Sequence, residues 1–141
     1  MSGPWSLAVP VHSVDDMSSP ALATLWIFRV LTIPQAILFV LQPISIGSFL
    51  QGSWAAFDLH SIAGGILVLP TMATAAVGLL LAVLTRRPWV GIGSVALGVL
   101  TTAQVAIGHA RLLAVHIPLG VLLVALAVCL AIWPWTKGAT R

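Results

Sequence analysis

The sequence predicts an all-α integral membrane protein: an antiparallel, up-and-down bundle of four transmembrane helices with both termini in the cytoplasm. Three observations predict it. Four long apolar runs follow one another, over about 21–42, 59–84, 89–109 and 113–133. Only 6% of the residues are charged while 60% are hydrophobic, against about 25% charged in an average soluble domain. Five of the six basic residues fall between the runs or after the last of them. So few charges cannot cover a water-soluble surface, so lipid must solvate the outside. The 141 residues fit one compact unit.

Residues 1–20 are the most polar segment, with Pro4, Pro10, Pro20, several serines and the Asp15–Asp16 pair. They read as a flexible or surface-lying tail. They lack the basic start of a signal peptide, and the apolar run that follows is too long for one. The first span is therefore expected to be retained.

Each run is near the ~20 residues that cross a bilayer core as a helix. The first carries Arg29, whose long stem is expected to snorkel toward the headgroups, and Pro34, which can kink the helix. A break over 43–58 contains Pro43, Gly47, Gly52 and Ser53. Asp58 stands where it can cap the second helix, orient an imidazole nearby or take a proton. Thr85-Arg86-Arg87-Pro88 is a tight charged turn into the third span. Ala110-Arg111 is so short a break that the third and fourth spans must form an antiparallel hairpin. Cys129 lies in the apolar fourth run and reads as helix packing. The bundle thus occupies 21–135, and 136–141 form a short basic tail.

Orientation follows from the basic residues. Four spans put both termini and the central turn on one side, with Arg86, Arg87, Lys137 and Arg141. The other side holds Arg111. The positive-inside rule places the larger set in the cytoplasm; the expected location is the plasma membrane. Trp26, Trp89, Trp133 and Trp135 then fall at the cytoplasmic interface and Trp54 near the outer one, as aromatic belts require.

Composition also excludes function classes. The basic residues are scattered, without the aromatic-interleaved patch that nucleic acid needs. The acids are Asp15, Asp16 and Asp58, and there is no Glu, so paired-carboxylate chemistry or a carboxylate-coupled pump inside the membrane has no residues. A single cysteine gives no CxxC. No HExxH and no glycine-rich phosphate loop is present.

Two stretches resemble each other. Gln42-Pro-Ile-Ser-Ile-Gly47 precedes Leu59-His60-Ser-Ile-Ala-Gly64, and Gln104-Val-Ala-Ile-Gly108 precedes Val115-His116-Ile-Pro-Leu-Gly120. Each half is a hairpin with Gln and Gly late in its first helix and His-x-x-x-Gly opening its second.

His60 and His116 fall on spans that run in the same direction, each about one turn from the outer end. Two imidazoles at matching depth on different helices can hold one haem iron axially. Gly64 and Gly120, at i+4 on the same helical faces, leave room for a flat macrocycle. On the second span the stripe continues through Leu67, Thr71 and Gly78, which equally suits close helix packing. For each histidine alone, an interhelical hydrogen bond is the competing role. His109 and Arg111 stand at the outer end of the third span. Arg111 either pairs with a haem propionate or is a solvated turn residue. His109 does the same as Arg111 or replaces one ligand. Gln42 and Gln104 either hydrogen-bond across the bundle or line a quinone pocket.

Topology together with His60 and His116 resembles one half of the haem A synthase family, and is similar to four-helix haem b membrane cytochromes. The resemblance covers most of 21–135. Members of the synthase family have two such halves, an acidic residue in the first outer loop, and in some cases paired outer-loop cysteines. Here there is one half, only Asp58 nearby, and no cysteine pair. What the resemblance implies is a haem-binding bundle, as a homodimer standing in for the two halves, without synthase activity.

The expectation is therefore a multi-pass membrane protein that binds haem b through His60 and His116 near the outer face, with Gly64, Gly120, His109 and Arg111 around the cofactor. Electron transfer with a quinone or a redox protein is the expected role. The alternative is a cofactor-free membrane subunit or assembly factor of a larger complex.

Overall fold

Among the residues that the computed structural model describes, 17–139, there are four α-helices and no strand. They are α1 (Ser19–Leu50), α2 (Trp54–Thr85), α3 (Pro88–His109) and α4 (Leu113–Ile132), with one 3₁₀ turn at Trp133–Trp135. Each is long and apolar enough to cross a membrane. The expected N-terminal tail and the end of the C-terminal tail lie outside the described residues, except that helix already begins at Ser19.

Local chemistry sets the boundaries. Pro20 and Pro88 open α1 and α3, where a missing N–H and a fixed φ cost nothing. Between α1 and α2 the chain turns in three residues, Gln51-Gly52-Ser53, with Gly52 at φ +102°. Arg86 and Arg111 adopt left-handed φ of 54° and 57° at the other two turns, ending their helices as a glycine commonly does.

The helices outrun the expected spans. Most of 43–58, read as a break, is helical, and Pro43 lies inside α1 with Pro34. Neighbouring helices tolerate such prolines in a membrane because nearby groups re-satisfy the freed backbone. Helices of 32 residues are about 48 Å long, well over the roughly 30 Å hydrocarbon core.

Neighbours in the bundle are α1–α2, α2–α3, α3–α4 and α4–α1, and the diagonal pairs make no close backbone approach. We call the end with the α1–α2 and α3–α4 connections the hairpin end, and the opposite one the terminal end. Small residues bring α2 and α3 together: a Cβ on Gly78 would overlap the Ser94 side chain, and one on Gly91 would stand 3.0 Å from Ala82 Cβ. From the Gly78–Ser94 contact α2 runs 24 residues to Trp54, whereas α3 runs only 15 to His109. The α1–α2 hairpin therefore projects about 13 Å further.

Phe28, Leu25, Leu67, Leu81, Leu97, Leu123 and Leu130 fill the centre. Thr74 Oγ1 donates to Gln35 Oε1 at 2.9 Å, tying α1 to α2 within it. Outward faces carry Leu69, Val83, Ile92, Val30 and Leu122, each at least 65% exposed. Only a lipid solvent makes such a surface favourable. Trp26 packs edge-on to Trp135 (5.9 Å) and Trp89 to Trp133 (4.8 Å) at the terminal end, while Trp54 packs on Phe49 at the other.

Candidate functional site: a histidine pair at the hairpin end

His60 is six residues into α2 and His116 three into α4. The equal count from the helix ends therefore does not hold, because the first hairpin is the longer one. The two rings meet nonetheless across the diagonal, with centres 6.2 Å apart and planes at 70°.

Each imidazole is anchored in the same way. His60 Nδ1 lies 3.1 Å from the Gln42 carbonyl oxygen, and His116 Nδ1 lies 3.1 Å from that of Gln104. A carbonyl only accepts, so each Nδ1 carries a hydrogen, and in a neutral ring so held Nε2 is the nitrogen with the free lone pair. Ser45 Oγ adds a contact at 3.3 Å to His60 Nδ1 and itself donates to the Gln42 carbonyl at 2.8 Å. The sequence repeat is thus a structural repeat: a glutamine in the helix before the turn holds the histidine in the helix after it, once in each hairpin.

The glycines have another role than open space. A Cβ on Gly120 would meet Gln104 Nε2 at 3.0 Å, and one on Gly64 would meet Gln42 Oε1 at 3.6 Å. Two glutamine side chains therefore lie over the two glycine faces. Gln104 Nε2 donates to the His116 carbonyl at 2.7 Å, which is the cross-bundle bond expected of it. Its Oε1 is buried and accepts nothing from the described residues. The further stripe of α2 serves packing: Leu67, Thr71 and Gly78 are all buried.

Gly108, in the sequence simply the end of the Gln104–Gly108 stretch, is a residue of the site. A Cβ there would come within 2.8 Å of His116 Cε1 and 3.0 Å of Nδ1. The ring lies directly on the α3 backbone, and no other residue type fits without moving it.

His109 does not join the pair. It is exposed, and its Nδ1 donates to Val105 of its own helix at 2.8 Å. Arg111 is exposed on the α3–α4 turn and Asp58 on the outer side of α2. Arg29, expected to snorkel into the headgroups, points toward the terminal end but is buried there against Pro134. No cluster of three or more His, Cys, Asp or Glu exists among the described residues. The side chains brought together here are two imidazoles, a set that can hold a metal ion only where a cofactor fills its other positions.

Comparison with protein-family models, curated proteins and solved structures gives no match for this chain. The four-helix membrane bundle stands on the chain's own sequence and structure.

Proposed function

We propose that this membrane protein binds haem b, with His60 Nε2 and His116 Nε2 as the two axial ligands. One observation carries the reading: the 6.2 Å between ring centres. A metal–imidazole bond is about 2.0–2.1 Å and a ring centre lies about 1.1 Å behind its nitrogen, so two rings sharing one metal have centres roughly 6 Å apart. The tautomers support it, because ligand histidines donate their other N–H to a carbonyl or carboxylate. Here the Gln42 and Gln104 carbonyls take that N–H.

The remaining residues suit the role. Gly64 and Gly120 have only the far ends of Gln42 and Gln104 over them, and flexible side chains can swing aside for a macrocycle. Arg111 and His109, exposed on the rim, can turn to its carboxylates. A haem held by His60 and His116 would supply one-electron chemistry, so the proposed role is electron transfer, with quinone or a redox protein as partner. Arg86, Arg87 and Lys137 at the terminal end against Arg111 at the hairpin end support a proposed orientation with the site toward the outer face, in the plasma membrane. A reduced-minus-oxidised absorption spectrum of the detergent-purified chain tests this. A low-spin haem signal supports the reading. A colourless protein that stays colourless after incubation with haem contradicts it and favours the cofactor-free subunit.

A further inference from the structure

At the terminal end, Arg29 stands in a setting that helix packing does not require. It is 9% exposed. Its Nε and Nη2 donate to the Pro134 carbonyl at 3.0 and 2.6 Å. Its guanidinium carbon lies 4.5 Å from the ring centres of both Trp26 and Trp135. A guanidinium has five N–H groups, so the two used here leave three for another partner. A carbonyl and two aromatic faces offer partial negative charge and do not neutralise a full positive one. The one carboxylate side chain among the described residues, Asp58, is at the opposite end of the bundle.

Beside this cation the α1–α4 seam opens as a groove of about 410 Å³. Ile33, Ala36 and Ile37 of α1 and Ala131 and Ile132 of α4 line it, and Trp135 is common to the groove and to the guanidinium stack. Ile33, Ala36 and Ile37 follow Arg29 at i+4, i+7 and i+8, so they lie on its helical face. The two alanines leave the seam open. The groove wall is wholly apolar and offers a guest no hydrogen bond. Arg29 does not itself line the groove; its guanidinium stacks on Trp135, the residue the two share, at the end of the bundle that carries four tryptophans.

We propose that Arg29 and this groove form a binding site for an anionic phospholipid. One acyl chain lies in the α1–α4 groove, and the headgroup phosphate accepts from the free N–H groups of Arg29. Charge selects this occupant. A buried cation with no counter-ion among the described residues favours an anion by a charge-assisted hydrogen bond, and the apolar wall requires an alkyl tail. The bilayer supplies both in one molecule. A quinone would bring the tail but no charge.

The test is native mass spectrometry of the full-length protein in mild detergent, titrated separately with phosphatidylglycerol and with phosphatidylcholine of the same chains. The expected result is one retained phosphatidylglycerol, at least about tenfold preferred over phosphatidylcholine. R29Q should bring that preference close to one. A131F, which fills the groove and leaves Arg29 in place, should lower retention of both lipids. Circular dichroism melts of both variants show that they are folded. If A131F folds and R29Q does not, R29K takes its place and should keep most of the preference. Equal retention of the two lipids by the wild type would overturn the proposal. So would an unchanged preference in folded R29Q, or retention in A131F equal to wild type.

Discussion

His60 and His116, 56 residues apart in sequence and on helices whose backbones make no close approach, meet edge-on with ring centres 6.2 Å apart. Each is held through Nδ1 by the carbonyl of a glutamine on the preceding helix. Two hairpins thus bring one imidazole each into edge contact, with the Nδ1 of both rings engaged by a carbonyl.

If the pair is bis-axial, both members are needed. His60→Ala and His116→Ala should each abolish the low-spin spectrum of the haem-loaded protein. His109→Ala should leave it unchanged, because that ring is exposed and tied to its own helix. Absorption spectra of the three variants at matched loading check this. Loss in His109→Ala with retention in His116→Ala would reassign the ligand.

Gly108 positions one ring. Gly108→Ala places a Cβ 2.8 Å from His116 Cε1, so the imidazole must shift. Haem retention should fall by about tenfold or more, with destabilisation of about 1–3 kcal/mol from overpacking. Haem titration and denaturant unfolding measure the two effects. Gly65→Ala is the control, since nothing lies within 4 Å of the added carbon.

Close packing of α2 on α3 rests on Gly78. Gly78→Ala should destabilise the bundle by about 1–3 kcal/mol, because the new methyl overlaps Ser94. Ser94→Gly in the same chain should recover much of that loss. The check is a double-mutant cycle measured by unfolding in mixed micelles, where simple additivity would contradict the contact.

The Thr74–Gln35 bond couples α1 to α2 in the core. Thr74→Val and Gln35→Leu should show a coupling of about 0.6 kcal/mol, the usual scale for hydrogen bonds between membrane helices. The same unfolding assay reads it. The haem spectrum should be unaffected, since both residues lie far from the histidines along the helices.

The sequence made some of this legible and hid the rest for physical reasons. Apolar run length and the placement of charge reveal four spans, because bilayer thickness imposes both. His60 and His116 are legible as polar exceptions in such runs. The breaks were harder. Pro43 and Gly47 signal a loop in water, yet neighbouring helices keep α1 continuous to Leu50. Gly64 and Gly120 share the histidines' faces, but spacing cannot tell that the glutamines one hairpin strand away would lie over them. Arg29 follows the expected direction of a snorkelling side chain, but only the fold brings Pro134 and Trp135 to meet it. In each case the missing information is a partner distant in the chain.

The most direct test of the central claim is a haem titration of the purified full-length protein followed by absorption spectroscopy. The account predicts saturation at one haem per chain, with a low-spin, six-coordinate spectrum in both oxidation states. Binding that is absent, or equally strong in the His60→Ala/His116→Ala double variant, would contradict it.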